Sequence, residues 1–171
     1  ELMNNILVFG AYESKNLKVE LKEFNLNHFI DNLIETYFNN EKDGRKIIIE
    51  KQDYNENIQC DESLLTHILN NLISNAFKYS VGSENPIIKI NYLENHFKIE
   101  IIDYGIGIPE LETKHLFQSF YRGSNTSTIK GSGLGLIIAK QFTELLNGSI
   151  SITSKVNEIT TATLLIPFKQ N

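Results

Sequence analysis

The apolar positions of this chain change period several times, and each change marks an element. Residues 1–14 carry Leu2, Ile6, Leu7 and Phe9 to Gly10 on one side of a predicted helix that starts without a clear cap. Residues 17–24 alternate apolar and polar, which is the period of a strand. Asn25 or Asn27 caps the next helix, which runs to about residue 39 with Phe29, Leu33, Ile34, Tyr37 and Phe38 facing inward. A turn at Asp43 and Gly44 leads to a β-branched strand over residues 46–53, and residues 58–60 form a short strand. Asp61 then caps a long helix that reaches about Tyr79.

The second half reads with the same rules. Residues 86–92 and 97–103 pair as antiparallel strands joined near Glu94 and Asn95. Residues 109–116 form a short helix, and the polar stretch 123–128 predicts a mobile loop. Gly135 opens a helix that stops at Asn147 and Gly148, and residues 150–155 and 160–168 are the last two strands. This mixed order predicts an α/β fold of two layers, with helices on one face of a sheet.

Composition narrows the class. The chain has 171 residues, enough for one domain with a sizeable core, and 41% apolar with 22% charged residues describes a globular protein. No apolar run approaches the ~20 residues that span a bilayer. Residue 1 is Glu and no signal peptide opens the chain, so it is expected to be part of a longer protein. A net charge of -5 argues against nucleic acid as the main partner, but leaves room for an anion held by a helix N-terminus and a few cations. Cys60 is the single cysteine, which excludes an internal disulfide and fits a reducing, cytoplasmic setting.

Three segments could carry chemistry. On the helix 61–79, Leu65, Ile68, Leu69, Leu72, Ile73 and Ala76 share a core-facing side, while His67, Asn71, Asn75 and Lys78 share another, with Ser74 beside them. That row could hold a metal and phosphates, or be a solvated helix face. Asp103 ends an apolar strand and is followed by Gly105 and Gly107, which allow a ligand to approach backbone, or simply form a turn. Gly131, Gly133, Leu134 and Gly135 lead into a helix whose N-terminal N–H groups can bind phosphate. The spacing is G-x-G-x-G after a polar loop, so it is not a dinucleotide fingerprint, and the chain has no P-loop.

In their order and separations these segments resemble the Bergerat-type ATP-binding fold of histidine kinases, gyrase, Hsp90 and MutL. Residues 71–80 (NLISNAFKYS) resemble its N box, residues 103–107 (DYGIG) its G1 box and residues 131–136 (GSGLGL) its G2 box. Residues 117–122 (FQSFYR) resemble the F box of histidine kinases. The resemblance runs from Leu2 to Phe168 and implies a mixed sheet covered on one face by helices. It also implies roles. Asn75 would coordinate Mg²⁺, Asn71 would face the phosphates or the metal's waters, and Lys78 would contact phosphate. Tyr79 would pack on the adenine, Asp103 would bind its amino group, and Gly105 and Gly107 would let the base approach. Arg122 and Lys130 would reach phosphate from a lid, and Gly131, Gly133, Leu134 and Gly135 would form the phosphate-binding turn. Phe117 and Phe120 would tether the lid to the domain or its neighbour, or serve as core aromatics.

The resemblance also bears on the reaction. Gyrase and MutL carry a water-activating Glu at the position of Asn71, and an amide is no general base at neutral pH. The implied activity is therefore transfer of the ATP γ-phosphate to another nucleophile, with catalysis by positioning and charge neutralisation. The family's nucleophile is a histidine, but His28, His67, His96 and His115 lack its sequence context; His67 alone lies on the presumed nucleotide side. Residues 1–15 resemble the end of the dimerisation and phosphotransfer domain plus a hinge, and residues 16–171 the catalytic domain. The implied partners are that acceptor domain, a response-regulator receiver domain and, in the parent, a second copy of the protein. Asn147-Gly148 replaces the family's usual Gly-Gly, and the hairpin 157–161 lacks its usual glycines. Two other readings stand beside this one: a serine kinase of the anti-sigma type, and a module that only docks.

Overall fold

A computed structural model describes residues 10, 18–39 and 41–169. The helix expected over residues 1–14 lies outside the described residues except for Gly10. Strand β1 (Lys22–Phe24) leads to helix α1 (Leu26–Tyr37), and Asn25 caps it by accepting the His28 N–H at 3.1 Å. β2 (Ile48–Lys51) and β3 (Ile58–Cys60) precede the long helix α2 (Glu62–Tyr79). Asp61 caps α2 through one oxygen, which takes the N–H groups of Ser63 and Leu64, while its other oxygen takes the Glu20 N–H at 2.7 Å. β4 (Ile87–Tyr92), β5 (His96–Asp103), helix α3 (Gly135–Leu145), β6 (Ser149–Ser154) and β7 (Thr160–Pro167) complete the regular elements. Two short 3-10 helices, Glu110–His115 and Ser124–Thr126, lie between β5 and α3.

The main sheet has the order β2-β4-β5-β7-β6, with β2 parallel to β4 and the other pairs antiparallel. The expected mixed sheet is therefore present, and β1 and β3 form a separate antiparallel pair. Strand alternation puts Ile88 and Ile90, Phe97, Ile99 and Ile101, and Ala162, Leu164 and Ile166 on the buried face. Register places Ile88 opposite Ile101 and Ile99 opposite Leu164, so the apolar rows run across the sheet. Against them α2 buries Leu65, Ile68, Leu69, Leu72 and Ile73, and α3 buries Ile138, Ala139 and Phe142. The other face carries Glu50, Lys89, Lys98 and Glu100, paired as Lys89–Glu50 and Lys98–Glu100.

Two departures from the family pattern have simple backbone explanations. Asn147 and Asn157 hold φ of 51° and 58°, so asparagine takes the left-handed positions that glycine would otherwise fill. The strands predicted over residues 17–24 and 46–53 are shorter, because only Lys22–Phe24 find partners on β3 and only Ile48–Lys51 on β4.

Candidate nucleotide-binding site

α2, α3, the sheet and the loop between them enclose two adjoining pockets. The inner one is apolar, with Leu72, Ala76, Ile101, Ile106, Ile152 and Ala162 on its walls. Among its polar lining residues is the carboxylate of Asp103, at the end of β5 and only 7% exposed. One Asp103 oxygen accepts the Gly105 N–H at 3.0 Å. Burial pushes this carboxyl up to about 6, although the Gly105 N–H and the positive charge of Arg45 pull it back. A partly desolvated carboxylate in an apolar slot is an acceptor matched to the amine edge of a flat base.

The outer pocket is polar. Asn71, Ser74, Asn75 and Lys78 line it from one side of α2, and Lys130, Gly131, Ser132, Gly133 and Gly135 from the other wall. Asn75, Tyr79, Leu116, Tyr121 and Leu136 line both pockets, so the two form one continuous cleft. Helical spacing had placed Asn71, Asn75 and Lys78 together, and they do come together. The Lys78 ammonium sits 4.3 Å from the centroid of the Tyr79 ring. The Asn71 amide donates to the His67 carbonyl at 2.9 Å, which turns its oxygen towards the start of α3. A Cβ on Gly135 would lie 2.7 Å from that oxygen, and one on Gly131 would lie 3.0 Å from the Lys78 nitrogen. Glycine leaves the Asn71 amide and the Lys78 ammonium room where the turn meets α2, and the pocket stays open for a ligand.

Other expected residues are placed differently. Leu134 buries its side chain in the core at 1% exposure and lines neither pocket, so only its backbone could serve the turn. Gly105 lines neither pocket; a Cβ there would meet the Tyr79 carbonyl oxygen at 2.2 Å. Its role is close packing of the loop on the end of α2. Gly107 does line the inner pocket, but its φ of 63° and the backbone of Lys155, 2.4 Å from an added Cβ, also demand glycine. His67 lines the neighbouring groove beside α1, which meets the outer pocket at Asn71 and Ser74, and packs edge-on against Phe142 at 5.7 Å. It lines neither of the two pockets of the cleft itself.

The stretch expected to be a mobile lid makes hydrogen bonds both within itself and to its surroundings. Arg122 lines the inner pocket, but its guanidinium donates to the Thr126 and Ile129 carbonyls, within the loop itself. Asn125 donates to the Gly107 carbonyl at 2.9 Å, and Glu112 accepts the Ser124 N–H at 3.0 Å and its hydroxyl. Phe117 is half-buried under the Lys140 ammonium, whereas Phe120 is 68% exposed.

One residue that shapes the site carried no sequence signal. The Arg45 guanidinium donates to the Ser80 carbonyl and hydroxyl and to the Phe77 carbonyl, at 2.7 to 2.8 Å. It also stacks on Phe77, 5.2 Å from its centroid. A cation at the carboxyl end of a helix answers its unpaired carbonyls and its dipole, and so fixes the turn that carries Lys78 and Tyr79.

Residues 60–170 match the family model described as "Histidine kinase-, DNA gyrase B-, and HSP90-like ATPase". The chain belongs to that family. The sensor histidine kinase YvrG of Bacillus subtilis is 36% identical over 91% of this chain and 27% of its own length. WalK of the same organism is 31% identical over 99% of the chain and 28% of its own length. Among solved structures, the catalytic domain of histidine kinase ThkA superposes with a TM-score of 0.72 at 25% identity, covering 87% of this chain and 98% of that one. Full-length ShkA in complex with AMPPNP superposes with a TM-score of 0.87 at 19% identity, covering 99% of this chain and 36% of that one, a likeness of fold. This member of the ATPase family is the ATP-binding catalytic domain of a histidine kinase. It spans roughly a quarter of the length of these two curated relatives. Among the described residues no helix is long and apolar enough to cross a membrane.

Proposed function

We propose that this domain binds Mg-ATP in the two-part cleft and delivers the γ-phosphate to a histidine on a separate domain, for relay to a response-regulator aspartate. The observation that carries this reading is the composition of the outer pocket: amides, hydroxyls, glycines and two lysines, with no carboxylate among the described lining residues. Such a pocket can neutralise and orient phosphates but has no side chain to activate water. ATP bound there would persist until an outside nucleophile arrives.

In this reading the adenine enters the inner pocket, its amino group on Asp103 and its face on Tyr79. Asn71, Lys78, Lys130 and the turn of Gly131, Gly133 and Gly135 face the phosphates. Mg²⁺ fits the donors present. Among the described residues no three His, Cys, Asp or Glu side chains gather into a metal site. A magnesium ion held mainly by phosphates and water needs only one or two protein oxygens, which the Asn75 amide at the junction of the pockets can supply. Bound there, the ion would neutralise phosphate charge. Arg122 acts here through the loop it braces.

The proposed parent contributes the rest: a dimerisation and phosphotransfer domain, to whose end and hinge residues 1–15 are assigned, a cytoplasmic location, and assembly as a homodimer. The reading is tested by titrating ATP calorimetrically into the wild-type domain and Asn75→Ala, with and without Mg²⁺. Mg²⁺ should tighten ATP binding to the wild type and do so far less in the variant. Equal Mg²⁺ dependence in both proteins would overturn the role of Asn75.

A further inference from the structure

The loop that roofs the inner pocket is a flap with a narrow neck. At its base the Phe120 N–H donates to the Gly133 carbonyl at 3.0 Å, and both residues are left-handed, with φ of 63° and 71°. A Cβ on Gly133 would lie 2.7 Å from the Phe120 carbonyl carbon, so the two ends of the flap touch. From this neck Tyr121, Gly123, Asn125 and Thr126 reach over the apolar pocket.

The flap's bonds fall into two kinds. Those of Arg122 run to Thr126 and Ile129, so they stiffen the flap without attaching it to anything. Others reach outside it: Asn125 to the Gly107 carbonyl, the Tyr121 N–H to the Gln118 carbonyl at 3.2 Å, and Ser124 and the Tyr121 hydroxyl to Glu112. Glu112 is the charged one among these anchors, and it holds Ser124 with both oxygens, one on the N–H and one on the hydroxyl. Charged acceptors make the stronger bonds. Glu112 itself sits on the 3-10 helix Glu110–His115, its N–H bonded to the Pro109 carbonyl at 2.9 Å and the helix followed by buried Leu116. Gly123 leaves room for the clasp, since a Cβ there would come within 3.1 Å of a Glu112 oxygen.

We propose that Glu112 is a positioning residue that latches the flap over the adenine pocket through Ser124, and that release of this latch limits how fast bound nucleotide leaves. The inference rests on the nucleotide-site reading above. It differs from it in assigning the lifetime of the complex to a residue that touches no nucleotide.

The test is the rate at which a fluorescent N-methylanthraniloyl-ADP leaves the domain when chased with excess ADP. Glu112→Ala and Ser124→Ala are compared with Glu110→Gln, which removes an exposed charge from the same short helix. Release from Glu112→Ala should be at least about threefold faster, with a smaller change in the association rate. Ser124→Ala should act in the same direction, and the double variant should release no faster than Glu112→Ala alone, because both break one clasp. Glu110→Gln should release like the wild type. Unchanged release in Glu112→Ala, or effects that add in the double variant, would overturn the latch. Should Glu112→Ala fail to fold, Glu112→Gln, which keeps the shape and removes the charged acceptor, takes its place: release at the wild-type rate in that variant would likewise overturn the latch. Asp103→Asn in the same assay separates the two levels: if it binds the probe as the wild type does, the nucleotide site itself is wrong.

Discussion

Asp103→Asn should make the empty domain more stable and the ATP complex weaker. Burial raises this carboxyl to about 6, whereas an unfolded aspartate titrates near ~3.9. Ionisation is thus less favourable in the folded chain. Its contribution to stability is intact below pH ~4 and is lost as pH rises through about 6. At ~1.4 kcal/mol per pKa unit the loss at neutral pH has an upper limit of ~3 kcal/mol. Asparagine has the same shape, no charge, and an oxygen that can still take the Gly105 N–H now accepted at 3.0 Å. The variant should gain ~1–3 kcal/mol at pH 7.5, which raises the melting temperature by ~2–4 °C per kcal/mol in a domain of this size. The gain should vanish at pH 4. ATP affinity should fall by ~1–3 kcal/mol, because the adenine amine loses a charged acceptor. Thermal melts at pH 4 and 7.5, beside calorimetric titration of ATP, measure both effects. A variant that is destabilised at pH 7.5, or that binds ATP as tightly as the wild type, would refute the reasoning.

Three further outcomes follow from named contacts. Arg45→Ala should cost ~2 kcal/mol or more by stripping the carbonyls at the end of α2 of a charged donor, and should also weaken ATP binding through Lys78 and Tyr79; chemical denaturation and titration check the two effects. Gly135→Ala places a methyl 2.7 Å from the Asn71 oxygen, so phosphate transfer should fall several-fold while the melting temperature holds, since alanine in a first helical turn offsets strain by ~0.4–1 kcal/mol. His67 is held below its ordinary value by burial, only partly countered by Asp61, so its contribution to stability is present above pH ~6.5 and is lost as pH falls below that. His67→Phe should flatten that part of the pH–stability curve, as read by melts from pH 5 to 8.

How much of this was legible in the sequence varied with how local the cause was. The start of α2 and its approximate end were readable, because Asp61 is a side-chain cap and the apolar period is unbroken through Ala76. The row of Asn71, Asn75 and Lys78 followed from helical geometry alone. The strand ends were not legible, since a strand stops where its partner does: residues 18–21 alternate as before, yet only Lys22–Phe24 pair with β3. His67 shares a helical side with Asn71 but turns away into the groove beside α1, because its ring packs on Phe142 of α3, which no local pattern announces. Arg45 and Glu112 were invisible for a similar reason. Each acts on a segment distant in sequence: Arg45 on Phe77 and Ser80, Glu112 on Ser124. The left-handed Asn147 and Asn157 show that missing glycines put no turn at risk.

In the proposed function, ATP in this cleft waits for a histidine rather than for water. The direct measurement mixes the domain and γ-labelled ATP with an acceptor-histidine phosphotransfer domain supplied in trans, beside a serine-bearing partner and a no-partner control. The account predicts acid-labile, alkali-stable label on the histidine domain only, and almost no labelled inorganic phosphate without it. Rapid phosphate release in the no-partner control, or label on the serine partner instead, would contradict it.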